Sequence, residues 1–85
     1  MVIENQTSIK LYVDEDTRRP IEPGVRRYVT EHIFDTTSID SKIGHVEIIT
    51  EYYHRSITAS KKLNAVESEE LDSNGHKLII VEEIA

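Results

Sequence analysis

The side chains best suited to chemistry in this sequence are its four histidines, His32, His45, His54 and His76, because imidazole both ligates metals and moves protons near neutral pH. Their spacing lacks the company either role needs. No His-Glu-x-x-His pattern is present, and His45-Val46-Glu47 resembles part of a deaminase signature whose cysteine ligands are missing, the chain having no cysteine. On a strand His45, Glu47 and Glu51 would share a face, enough for adventitious metal contact but short of an enclosed ligand set. Asp14 and Asp16 begin like a calcium loop, yet Arg18 stands at a would-be ligand position and the required glycine is absent. No metal and no cofactor are expected.

Nucleophilic catalysis fares no better. The serines and threonines lie in no nucleophile-elbow context, and the only glycines, Gly24, Gly44 and Gly75, are too scattered to form a phosphate-cradling loop. Eighty-five residues leave little room for a deep pocket. The expectation is a binding protein and not an enzyme.

Charge is the more informative property. The formal net charge is −6, and it is uneven: residues 66–85 hold six acids (Glu67, Glu69, Glu70, Asp72, Glu82 and Glu83) against a single base, Lys77. Such asymmetry suggests an acidic face that meets a basic partner. The doublets Arg18-Arg19, Arg26-Arg27 and Lys61-Lys62 offer a rival phosphate-binding patch, but Asp14 to Asp16, Glu22 and Glu31 would screen it. Direct nucleic-acid binding is therefore disfavoured.

The elements that must position these charges read as mainly β. Isoleucine and valine number 19 and threonine seven, against eight for alanine, leucine and methionine together. Ser8 to Val13 alternates as an early strand, with Val2-Ile3 as a candidate extension. The turn-rich stretch Asp14 to Gly24 follows. Val25, Tyr28, Val29, His32 and Ile33 fall at helical spacing, so one helix is expected near 23–34, with Pro23 in its first turn. Ile43 to Thr58 reads as a long strand bent at Gly44, with Ile57 on the face opposite Val46 and Ile48. Asn74-Gly75 predicts a two-residue hairpin turn pairing Asp72 with Lys77 and Leu71 with Leu78. A helix over Lys61 to Leu71 is the weaker alternative, since its end charges oppose the helix dipole.

The fold class expected is thus α+β, mainly antiparallel β, as one domain over 1–85 with a small single sheet and a C-terminal hairpin. Leu78, Ile79, Ile80 and Val81 are apolar on both faces, so that strand is either central or a candidate homodimer interface. Glu67 and Glu69 on one face with Glu82 opposite, flanked by Glu70, Asp72 and Glu83, would space carboxylates much as DNA spaces phosphates. The plainer reading of this face is a solvated hairpin whose charges protect a sheet edge; the functional expectation is a small acidic protein-binding module, with an inhibitor that mimics DNA charge on the basic surface of a DNA-binding protein as its sharper form. Small inhibitors of this kind are frequent in viruses and mobile elements, an analogy of class. The alternatives are an assembly subunit using apolar strand surface and the doublet-based nucleic-acid binder. No signal peptide or membrane span is evident, so a cytoplasmic location is expected.

Overall fold

In a computed structural model, residues 1–29, 36–50 and 54–84 are described. They form six strands: β1 (Val2–Asn5), β2 (Tyr12–Val13), β3 (Arg26–Tyr28), β4 (Thr36–Thr50), β5 (His54–Leu71) and β6 (Lys77–Glu83). The sheet runs β2-β5-β6-β1-β3, with β4 also pairing to β5. All pairings are antiparallel except β1 with β6, which is parallel with Ile3 beside Ile79. No helix occurs among the described residues.

The 18-residue strand β5 organises the sheet. Its first part lies between β2 and β4, where Ile57 faces both Val13 and Val46, and its second part carries β6. Period-two burial and pairing with β6 explain why Lys61 to Leu71 extends the strand and does not coil into the alternative helix: Leu63 and Ala65 point inward, Asn64 and Val66 outward. The curled sheet closes over a core of Ile3, Leu11, Ile21, Val46, Ile48, Ile57, Leu63, Ile79 and Val81, each fully buried.

Several expectations change. The helix near 23–34 does not form in its described part. Pro23 and Gly24 occupy a turn, with Gly24 at φ 80°, and Arg26–Tyr28 pairs with β1. Val25 and Tyr28 stay 41% and 42% exposed, so the apparent helical stripe is not a buried face; residues 30–34 of that segment lie outside the described residues. Ser8 to Val13 is a strand only at Tyr12–Val13, and Val2-Ile3 belongs to the separate strand β1. Asn5 is the physical reason. Its buried amide donates to the carbonyls of Ile9 and Ile21 at 2.8 Å and accepts from Thr7 N–H and Oγ1, holding residues 5–9 in a bend.

The long segment from Ile43 is two antiparallel strands, with Ile49 facing His54, so Ile57 shares the core face with Val46 instead of opposing it. Gly44 does bend β4: it sits at φ 70° in a register shift, and a Cβ there would lie 2.9 Å from the Ala59 carbonyl oxygen. The C-terminal hairpin also stands, with a different register. Leu71 faces Lys77 and Asp72 N–H donates to the His76 carbonyl at 2.9 Å, so of the five residues between the strands Ser73-Asn74-Gly75 form the tip, with Gly75 at φ 81°. Asp72 selects that turn by accepting from the backbone N–H groups of Asn74 (3.0 Å) and His76 (2.8 Å), bonds a two-residue turn would not offer.

Candidate partner-binding site

The hairpin divides its six carboxylates into two groups. Glu67, Asp72 and Glu83 are used within the fold. Glu67 meets Lys77 at 3.3 Å, and Asp72 caps the turn while His76 Nδ1 lies 3.7 Å away. Those turn N–H bonds, His76 foremost, hold the Asp72 carboxyl below its ordinary range. Glu83 accepts from Ser8 N–H at 2.7 Å and pairs with Lys61 at 3.1 Å. Hydrogen bonds from Ser8, then Lys61, bring its pKa down to about 2.

Glu69, Glu70 and Glu82 are the second group. All three are exposed, and their carboxylates have no ion-pair partner among the described residues. They do not form the ladder expected from sequence. Glu82 faces Asn64, while Glu67 faces Ile79 on the opposite side of the sheet, because the hairpin register differs and a shift interrupts β5 between Glu67 and Leu71. What remains is a looser set of exposed carboxylates at both ends of the β5–β6 pair.

Between them lies apolar surface. On the outer face of the sheet Val66 sits opposite Ile80, and Ile80 is beside Glu4 on β1. In the next row Leu78, Val2 and Tyr28 follow one another across β6, β1 and β3, and the Tyr28 and His76 rings meet at 4.6 Å. Val66 is 47% exposed and Ile80 half-buried, whereas Leu78, Ile79 and Val81 are buried within the chain. Strand β6 is thus central, between β5 and β1, and of the four residues considered for a dimer interface only Ile80 is substantially reachable. Glu4 is closed into a 2.6 Å ion pair with Arg26, which lowers its pKa chiefly through that hydrogen bond.

The basic doublets do not gather into one patch. Arg26 turns to Glu4, Arg18 to Asp16 at 3.2 Å, and Lys61 to Glu83. Arg19 and Arg27 do line a common groove of about 340 Å³, joined by Arg55, a residue that sequence spacing alone gave no reason to single out. Asp14 and Asp16 line the same groove, Asp14 pairing with Arg55 at 2.5 Å, and Arg27 is occupied in holding the carbonyls of Arg19 and Pro20. The groove's charge is nearly balanced.

The histidines are also dispersed. His45 and His54 both approach the Glu47 carboxylate, at 3.2 and 3.7 Å, while His76 belongs to the hairpin. Among the described residues, no three histidine or carboxylate groups form a metal-binding cluster, and no helix is long and apolar enough to cross a membrane. His32 and Glu51 lie outside the described residues.

Comparison with known proteins brings no relative: no family model matches the chain, and no curated protein or solved structure is significantly similar to it.

Proposed function

We propose that this protein is a non-catalytic, acidic binding module that docks its β5–β6 hairpin onto the basic surface of another protein. The observation that carries the reading is the exposure of Glu69, Glu70 and Glu82, without counter-ions among the described residues, on a sheet whose other hairpin carboxylates are paired or hydrogen-bonded within the fold. Uncompensated like charges on a rigid scaffold of net charge −6 steer opposite charge and repel like charge. The finer reading is that the partner surface otherwise receives nucleic-acid phosphates, so the module acts as an inhibitor by charge mimicry.

The test is capture of partners from nuclease-treated lysate on the immobilised protein, with Glu69→Gln/Glu70→Gln/Glu82→Gln as comparison. Leaving Glu67, Asp72 and Glu83 intact preserves the fold. The reading expects basic proteins that elute at moderate salt, are lost with the triple variant, and are displaced by duplex DNA. Retention of the same proteins by both baits at all salt concentrations would remove the acidic surface from consideration. Displacement by salt but not by duplex DNA would retain the acidic module and discard the mimicry.

A further inference from the structure

We infer that the module's occupant is amphipathic as well as basic: an extended protein segment in which lysine or arginine side chains flank apolar ones, laid across the outer face of β5 and β6. This rests on the acidic-module reading and specifies the chemistry of its partner. Period-two alternation on these strands assigns Leu63, Ala65, Ile79 and Val81 to the core, so Asn64, Val66, Ile80 and Glu82 must face outward. Two of those four outward residues are β-branched aliphatics. They stand directly opposite each other at Val66 and Ile80, and among the described elements no strand packs over them. A valine left 47% exposed in the middle of an 18-residue strand gives the sheet little that threonine would not.

Charge complementarity identifies the occupant. Glu82 lies two residues from Ile80 on the same outer face, while Glu69 and Glu70 lie beyond Val66 towards the hairpin tip. The apolar pair is therefore bracketed along the strands by carboxylates with no ion-pair partner among the described residues. Across the strands, the neighbouring Glu4 is already neutralised by Arg26 and offers no further charge. A segment entering this surface meets acid, then aliphatic surface, then acid, and its own order must be cation, apolar, cation. Successive same-face residues of an extended chain repeat every 6.6–6.8 Å or so, which suits this arrangement. A second copy of the same face fits poorly, since it would set Glu69, Glu70 and Glu82 against their equivalents, and Arg26 is engaged.

The experiment titrates the full chain, followed by amide NMR, with two synthetic peptides of equal charge: octalysine and a (Lys-Lys-Val-Val)4 peptide, whose same-face residues alternate cation and valine when extended. The inference expects the alternating peptide to bind about tenfold more tightly, the increment from covering two partly exposed aliphatic side chains. Shifts should centre on Asn64 to Val66 and Ile80 to Glu82. Val66→Ser/Ile80→Thr should remove the tenfold difference and leave octalysine binding unchanged; Glu69→Gln/Glu70→Gln/Glu82→Gln should weaken both peptides. Equal affinity of the native chain for the two peptides would overturn the amphipathic inference while leaving the acidic module standing. Failure of the glutamine variant to weaken either peptide would overturn the module itself. Sedimentation showing a native dimer that Val66→Ser/Ile80→Thr converts to monomer would assign the face to a second copy and also overturn the inference.

Discussion

Replacing Asn5 should be among the most damaging single changes in the chain, and the chemistry of the replacement should decide by how much. The side chain is fully buried and makes four hydrogen bonds: two donated to the Ile9 and Ile21 carbonyls, two accepted from Thr7. In Asn5→Ala the Ile21 carbonyl keeps its bond from Leu11 N–H, and the single Thr7 hydroxyl proton, within reach of both Asn5 Oδ1 and the Ile9 carbonyl, turns wholly to Ile9, but the Thr7 N–H loses its acceptor. An orphaned buried N–H costs about 1–3 kcal/mol, and each lost amide bond about 1 kcal/mol net, so a loss of about 3 kcal/mol is expected. That is a large share of the roughly 4–13 kcal/mol available to a domain of this size.

Asn5→Asp separates bonding from shape. The carboxylate can still accept from Thr7, but it cannot donate, and it places negative charge against two carbonyl oxygens with no counter-ion in the bonded shell. At pH 7 it should therefore be less stable than Asn5→Ala, by about 2 kcal/mol. Burial raises the pKa of the introduced carboxyl in the folded state, so the folded chain binds the proton more tightly. Stability relative to Asn5→Ala then rises as pH falls from 7 towards the ordinary aspartate range near 3.9. Urea unfolding of the three proteins at pH 7 and pH 5 measures both quantities. An Asn5→Ala cost below about 1 kcal/mol, or an Asn5→Asp variant more stable than Asn5→Ala at pH 7, would refute the network as the element holding residues 5–9.

Other outcomes follow from particular positions. Gly44→Ala should lose about 2 kcal/mol, from its positive φ and its contact with the Ala59 carbonyl, whereas Gly75→Ala, with a similar φ and open space around it, should lose only about 1 kcal/mol in the same unfolding assay. The Glu83 carboxyl should titrate near 2 by carbon-detected NMR. Because its pKa is depressed on folding, its contribution to stability is present above about pH 4.5 and is lost as pH falls towards 2; Glu83→Gln should flatten that part of the stability profile. Asp72→Ala should loosen the hairpin, seen as faster hydrogen exchange at Asn74 and His76, whose N–H groups lose their acceptor.

The features legible in the sequence were those with a local cause. The β-rich composition, the bend at Gly44, the turn around Asn74-Gly75 and the doubly apolar Leu78 to Val81 each declare themselves within a few residues, and the structure contains all four. The details that escaped depend on contacts distant in sequence or on competition between local signals. Arg26–Tyr28 is a strand because β1 is beside it, which no spacing of Val25, Tyr28 and Val29 could disclose. The hairpin register turned on the Asp72 side chain outbidding the Asn-Gly preference. For the candidate site, sequence located the acidic segment, but only the folded arrangement revealed that Glu67 and Glu83 meet cations and that, among the described residues, Glu69, Glu70 and Glu82 do not.

The parallel pairing of β1 with β6 has a consequence for how the chain acquires its shape. Val2 to Asn5 must wait for Leu78 to Val81, the partners nearly the whole sequence away, before one side of the sheet can close. During synthesis β1 has no β6 edge to join until the residues through Val81 have left the ribosome, whereas the β4–β5 pairing is available earlier. Folding should therefore be late and comparatively slow, as loop closure of high sequence separation demands. Until β6 arrives, the aliphatic edges of β5 and β1 that it covers stand open, so the nascent protein is exposed to aggregation in that interval.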